Sequence, residues 1–151
     1  MEAAATFLGV RPRSVAETTR RLQHLGYPPP LVDEVVRRLI EMEYLDDAAF
    51  AKEWLESRDR ARPRGLSVLR RELALKGVDR TVVEEALIER ANGADDPERA
   101  AAFALLQRRR MALDRELDPS KRRQKAYALL ARNGFDPETC RAVSASMVAS
   151  Q

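Results

Sequence analysis

The chain has 151 residues, enough for one domain of ordinary size or a few small helical units sharing a core, and too few for two large lobes. Hydrophobic residues make up 44% and charged residues 34%, which argues against disorder, while an aromatic share of 5% leaves a β-sandwich without its usual filling. A net charge of +3 at pH 7 permits an acidic partner without demanding one, and a single cysteine, Cys140, rules out an internal disulfide and points to a reduced, cytoplasmic setting.

Stop signals and hydrophobic period predict nine α-helices, over 2–9, 15–25, 31–43, 47–59, 65–76, 80–91, 97–113, 119–132 and 137–149, and no β-sheet. Met1 to Val10 carries Glu2 and no Lys or Arg, so it lacks the basic start of a signal peptide. Ser14 and Glu17 have the spacing of a capping box at the second helix. Leu31, Val32, Val35, Val36, Leu39 and Ile40 draw one stripe on the third, and a stripe of that width is expected in the core. Asp46 and Asp47 precede the fourth helix, where a carboxylate accepts an orphan N–H and favours the positive helix end. Phe50, Ala51, Trp54 and Leu55 repeat the apolar spacing there, and Tyr44, Phe50 and Trp54 are read as packing residues. Ala100 to Leu106, the longest apolar run, falls far short of the roughly 18 residues of a membrane span. Asp96-Pro97, Asp118-Pro119 and Asp136-Pro137 each set a capping carboxylate before a proline whose missing N–H costs nothing at the first helical position.

Three helix-ending glycines, Gly26, Gly77 and Gly134, bring the chain into register with itself. Leu22, Leu73 and Leu130 stand four residues before them, and Tyr27, Val78 and Phe135 one after. Val32, Val83 and Cys140 stand six after, and Val35, Ala86 and Val143 nine after, so these are the core positions of one repeated unit. The glycine suits a left-handed C′ residue, and the apolar residue behind it closes back onto the finished helix. Glycine spacings of 51 and 57 residues leave room for three helices per unit. The expected architecture is therefore all-α: three tandem three-helix repeats, at 1–45, 46–93 and 94–151, stacked into an elongated, curved helical body. A monomer is expected, because every apolar stripe finds a neighbour within the chain.

Enzyme chemistry has little to stand on. His24 is the only histidine and is read as a solvated helix-end residue; Cys140 matches a core position; Asp46 and Asp47 are read as caps. No catalytic, metal or cofactor site is assigned. The functional signal is basic clustering. Arg58, Arg60, Arg62, Arg64, Arg70 and Arg71 form one group, with only Asp59 and Glu72 close by. Arg108, Arg109, Arg110, Arg115, Lys121, Arg122, Arg123 and Lys125 form a second, tempered by Asp114, Glu116 and Asp118. Leu31 to Asp47 holds six acidic residues and two basic ones, so charge is segregated along the chain. Several guanidinium groups on one loop repel each other, and an anionic partner relieves that strain while accepting bidentate hydrogen bonds. With no interleaved stacking aromatics, base-specific reading is not indicated.

The stretches Leu39 to Ala51, LIEMEYLDDAAFA, and Arg64 to Val78, RGLSVLRRELALKGV, resemble the RecX family of bacterial RecA regulators. The carriers are the acidic pair before Phe50-Ala51, and Glu72-Leu73 followed by Lys76-Gly77; Leu129 to Phe135 is similar to the family's closing repeat. The resemblance implies three tandem three-helix repeats and a non-enzymatic regulator without cofactor. It would bind the RecA filament on single-stranded DNA and restrain its recombinase and ATPase activities, with consequences for recombination, DNA repair and the SOS response. Contact with single-stranded DNA inside the filament, or weak direct DNA binding, accompanies that reading. A helical DNA-binding protein acting independently of RecA is the alternative.

Overall fold

The computed structural model describes residues 1–149, which form ten helices and no strand among them. They are α1 (Glu2–Val10), α2 (Val15–His24), α3 (Pro29–Glu41), α4 (Asp47–Ala61), α5 (Leu66–Leu75), α6 (Arg80–Asn92), α7 (Pro97–Arg108), α8 (Arg110–Asp114), α9 (Pro119–Arg132) and α10 (Pro137–Ala149). None is long and apolar enough to cross a membrane.

The tenth helix arises because the segment expected as one helix over 97–113 breaks at Arg109 (φ −106°, ψ 8°) into α7 and α8. The buried stripe of α7 is Ala101, Ala102, Leu105 and Leu106, and an unbroken helix would carry it on to position 109. That would bury an arginine. The break leaves Arg109 exposed and still delivers Leu113, 6% exposed, to the core.

The caps form as the residue types dictate. Ser14 and Glu17 close a reciprocal capping box on α2. Asp46 accepts from the N–H groups of Ala48 and Ala49, and Asp96, Asp118 and Asp136 accept from Arg99, Ser120 and Thr139. Asp47 does something else: its carboxylate accepts from the N–H of Val15, the first residue of α2, at 2.9 Å.

The chain packs as two compact units, one of Met1–Trp54 with Glu72–Leu87, the other of Leu55–Arg71 with the chain from Ile88 onward. The first has a core of Leu22, Val32, Val35, Val36, Leu39 and Leu45. The second is built on Leu105, Leu106, Leu130, Phe135, Cys140 and Val143. Leu22, Leu73 and Leu130 are 3%, 0% and 0% exposed, and each fully buried leucine contributes about 1.5–3 kcal/mol relative to water. Four expected core residues lie outside: Leu31, Ile40, Tyr27 and Tyr44 are 43%, 46%, 42% and 64% exposed. The stripe of α3 is narrower than its apolar sequence. Tyr27 follows Gly26, where a Cβ would meet nothing within 4 Å, whereas one at Gly77 would run into Ala16 and one at Gly134 into Val68.

That last difference marks a junction made twice. In the first unit the N-terminus of α2 meets the C-terminal end of α5: Ser14 Oγ donates to the Lys76 carbonyl at 2.6 Å, and Lys76 Nζ pairs with Glu17 at 3.3 Å. In the second the N-terminus of α5 meets the C-terminal end of α9: the Gly65 N–H donates to the Asn133 carbonyl at 2.8 Å and Ser67 Oγ to the Gly134 carbonyl at 3.0 Å. The first N–H of each incoming helix finds a carboxylate 32 residues on, Val15 at Asp47 and Leu66 at Glu98. The positive helix end accounts for an acidic partner in both places.

Candidate functional site

All the basic residues singled out from the sequence lie in the second unit. The first group centres on the loop between α4 and α5, which the junction fastens. Pro63 and Gly65 are buried, Gly65 is bonded to Asn133, and Arg62 closes α4 through its N–H to the Arg58 carbonyl at 2.9 Å. Arg64 turns back onto this loop, with Nη1 on the Pro63 carbonyl at 2.9 Å. Arg60, Arg62, Arg70 and Arg71 are exposed, and Arg58 is half-buried.

One hydrogen bond joins the two sequence clusters. Arg108 Nη2, at the end of α7, donates to the Arg60 carbonyl in the last turn of α4 at 2.7 Å. A cation at a helix C-terminus is favoured by the dipole, so the contact is stabilising despite the surrounding positive charge. It sets Arg108 beside Arg60, with Arg109 and Arg110 following along the chain, all of them exposed.

One acidic neighbour of this surface, Asp59, is engaged by another helix. Asp59 is held in a two-point grip by Arg90 of α6, at 2.9 and 3.0 Å, and Arg90 also reaches Glu98 of α7 at 3.0 Å. Glu98 in turn caps Leu66 at 3.1 Å. Burial pushes the Glu98 carboxyl above its ordinary range; the hydrogen bonds from Arg90 and the Leu66 N–H pull it back only in part. The sequence reading missed Arg90 and Glu98. The signal was present, since Glu98 stands at the same distance from Leu66 as Asp47 does from Val15.

The remaining candidates gather around Glu116. Arg122, counted with the basic group on sequence, is 6% exposed: its Nε and Nη2 donate to the Glu116 carbonyl at 2.9 and 2.8 Å, so it pins a turn and is unavailable to a partner. Lys125 pairs with the Glu116 carboxylate at 3.0 Å, and that hydrogen bond, with one from the Asp118 N–H, holds the carboxyl below its usual range. Lys121 and Arg123 are exposed. Arg110 stands 3.7 Å from Asp114.

In the first unit four of the six acidic residues between Leu31 and Asp47 are engaged within the chain: Glu41 pairs with Arg37 at 2.7 Å, Glu34 with Arg38 at 3.8 Å, and Asp46 and Asp47 bind helix N-termini. His24 is exposed at the end of α2. Cys140 is buried, and burial pushes its thiol up, away from the reactive thiolate. No group of three His, Cys, Asp or Glu residues able to hold a metal occurs among the described residues. What the second unit offers chemically is a group of exposed guanidinium side chains, a residue type suited to bidentate hydrogen bonds with anions.

Comparison with known proteins matches the chain three times to models of one family: the first three-helix domain of RecX at residues 1–39, the second at 46–87 and the third at 96–143. A regulatory protein RecX of Prosthecochloris aestuarii is 35% identical over 138 residues, 91% of this chain and 86% of the relative. One of Mycobacterium sp. (strain JLS) is 35% identical over 129 residues, 85% of this chain and 70% of the relative. The crystal structure of RecX from Lactobacillus salivarius superposes with a TM-score of 0.82 at 19% identity, covering 99% of this chain and 94% of that one, a likeness of fold alone.

Proposed function

Because the chain belongs to the RecX family of regulatory proteins, we propose that it binds the RecA filament assembled on single-stranded DNA and inhibits its recombinase and ATPase activities, catalysing no reaction of its own. The observation that carries the reading is the joined basic surface of the second unit, where Arg108 sits on the carbonyl of Arg60 while Asp59 is withdrawn by Arg90. Such a surface fits a nucleoprotein, which presents phosphates and acidic protein side chains together. Arg60, Arg62, Arg70, Arg71, Arg108 and Arg109 are its contact residues. Inhibition follows from differential binding: a ligand that grips one arrangement of filament subunits holds them there and opposes the motions that ATP turnover and strand exchange require. The protein acts in the cytoplasm and as a monomer.

Monomeric action has support in the third repeat. Counting twelve residues back from the helix-ending glycines, the junction positions Ser14 and Gly65 correspond to Arg122, which lies inside α9 with its guanidinium folded onto Glu116. The third repeat presents no helix N-terminus there, so the junction is not offered to a second copy.

Titration into a DNA-dependent RecA ATPase reaction, with strand exchange followed in parallel, tests the reading. Both rates fall as the protein is added, and charge reversal at Arg70 and Arg71 weakens the effect without changing helical content. Unchanged rates at saturating protein would exclude inhibition. The alternative, a DNA-binding protein independent of RecA, is favoured by the same exposed arginines; its mark is equal affinity for naked DNA and filament, falling steeply with salt.

A further inference from the structure

The third repeat is six residues longer between its glycine and the preceding one than the second is, and the added length falls before the junction position. α9 has 14 residues where α2 and α5 have 10, and the preceding helix is split into α7 and α8. This added segment carries two bare apolar side chains. Met111 is 83% exposed and Leu117 is 84% exposed, above Leu75 at 71% and Tyr44 at 64%. Scattered exposed apolar residues are ordinary in soluble proteins. These two stand out as the most exposed of the large apolar residues described and as lying six positions apart on one fastened segment.

Leu113, between them, is buried and anchors α8. The turn behind Leu117 is fastened by Arg122, whose guanidinium donates twice to the Glu116 carbonyl, and by Lys125 on the Glu116 carboxylate at 3.0 Å. The Asp118 N–H donates to the same carboxylate at 3.3 Å, and Asp118 caps α9 through Ser120. Arg109, Arg115 and Lys121 flank the pair in sequence and are exposed, Arg110 stands 3.7 Å from Asp114, Glu116 is paired with Lys125, and Asp118 caps α9. Neither helix capping nor core packing needs Met111 or Leu117.

We propose that Met111 and Leu117 are the apolar anchors of a protein-docking knuckle, and that its occupant is an apolar pocket with an acidic rim on a subunit of the filament. The proposal rests on the function given above and adds a residue-level division of labour to it. Thioether and isobutyl groups gain nothing from phosphate and do not stack on bases, so they select protein over nucleic acid. The stretch from Arg108 to Lys125 holds more basic than acidic residues, and this net positive surround selects an acidic rim by charge complementarity. Because the turn is already held, docking costs little ordering of the backbone, the condition under which a few apolar side chains dominate affinity.

The test is the double variant Met111→Ser, Leu117→Ser in the full chain, with inhibition of RecA ATPase, pelleting with filaments and affinity for naked single-stranded DNA measured together. The concentration for half inhibition is expected to rise at least about tenfold, filament pelleting to fall alike, and naked-DNA affinity to stay within about twofold, with unchanged thermal unfolding. A variant that inhibits like the wild type overturns the knuckle and leaves the function standing. Equal loss of filament and naked-DNA binding assigns the two residues to nucleic acid and overturns the proposal. Phosphatidylglycerol vesicles that pellet the wild type but not the variant, with inhibition unaltered, assign them to a membrane and also overturn it. A wild type that neither pellets with filaments nor inhibits overturns both the knuckle and the function.

Discussion

The two helix junctions do the same work with different materials. At the start of α2 a hydroxyl spans the gap: Ser14 reaches the Lys76 carbonyl, and a pair between Glu17 and Lys76 reinforces it. At the start of α5 backbone meets backbone, and a Cβ on Gly65 would overlap the Gly134 carbonyl and the Phe135 nitrogen. The difference shows that repeat position does not dictate residue type. Distance of approach does: where the chains are far enough apart a serine can be used, and where they touch only glycine fits. It also separates stability from function, because the basic loop hangs from the second junction alone.

Exchange of the two residue types breaks this symmetry most sharply. Gly65→Ala is expected to cost about 3 kcal/mol in denaturant unfolding, since the obstacle is backbone and cannot swing away, and to weaken filament inhibition as well. A loss under about 0.5 kcal/mol would mean the second junction is looser than described. Glu98→Ala comes next, at about 2 kcal/mol, because it leaves the Leu66 N–H uncapped and Arg90 with only Asp59. Ser14→Ala is expected to cost about 1–2 kcal/mol, the value of an N-cap, with inhibition per folded molecule unchanged.

pH gives the smallest and most discriminating effect, within the first junction. For Glu17, burial raises the pKa, but the Ser14 N–H, Lys76 and Arg13 outweigh it and the net shift is downward. Its contribution is therefore present above the ordinary carboxylate range and is lost as pH falls through the folded pKa. Asp47 has the opposite sign: burial pushes it up, helped by Asp46 and Glu17 and opposed by the Val15 N–H. Its folded state is favoured at low pH, and that advantage disappears as pH rises through the raised value. In unfolding measurements from pH 3 to 7, the stability lead of wild type over Glu17→Gln should widen as pH rises. The lead over Asp47→Asn should shrink, since asparagine keeps an acceptor for Val15 and drops the charge. Parallel curves for the two variants would contradict the assignment.

The junctions also explain what was legible in the sequence. Local signals read correctly: the capping box at Ser14 and Glu17, the aspartates before prolines, and the leucines at 22, 73 and 130 depend on neighbours a few residues away. Long-range partners did not. Asp47 looks like a cap for its own helix and serves α2 instead, a choice set by packing. Tyr27 occupies the position of Val78 and Phe135, but a Cβ on Gly26 would meet nothing within 4 Å, so repeat register alone overstated its burial. Leu31 and Ile40 show that period locates a stripe without fixing its width. Of the candidate site, the clustering of arginines was visible in the chain, whereas the bond from Arg108 to Arg60 and the removal of Asp59 by Arg90 required the fold. Arg122 was misread because a charge count cannot tell a guanidinium in solvent from one folded onto a carbonyl.

The central claim is that the second unit's basic surface grips the filament. Its most direct test is pelleting of the protein with RecA filaments on single-stranded DNA, comparing wild type with a variant carrying Arg60→Glu, Arg62→Glu, Arg108→Glu and Arg109→Glu. The wild type is expected to pellet with the filament while the variant, equally helical, remains in the supernatant. Equal pelleting of both would contradict the claim.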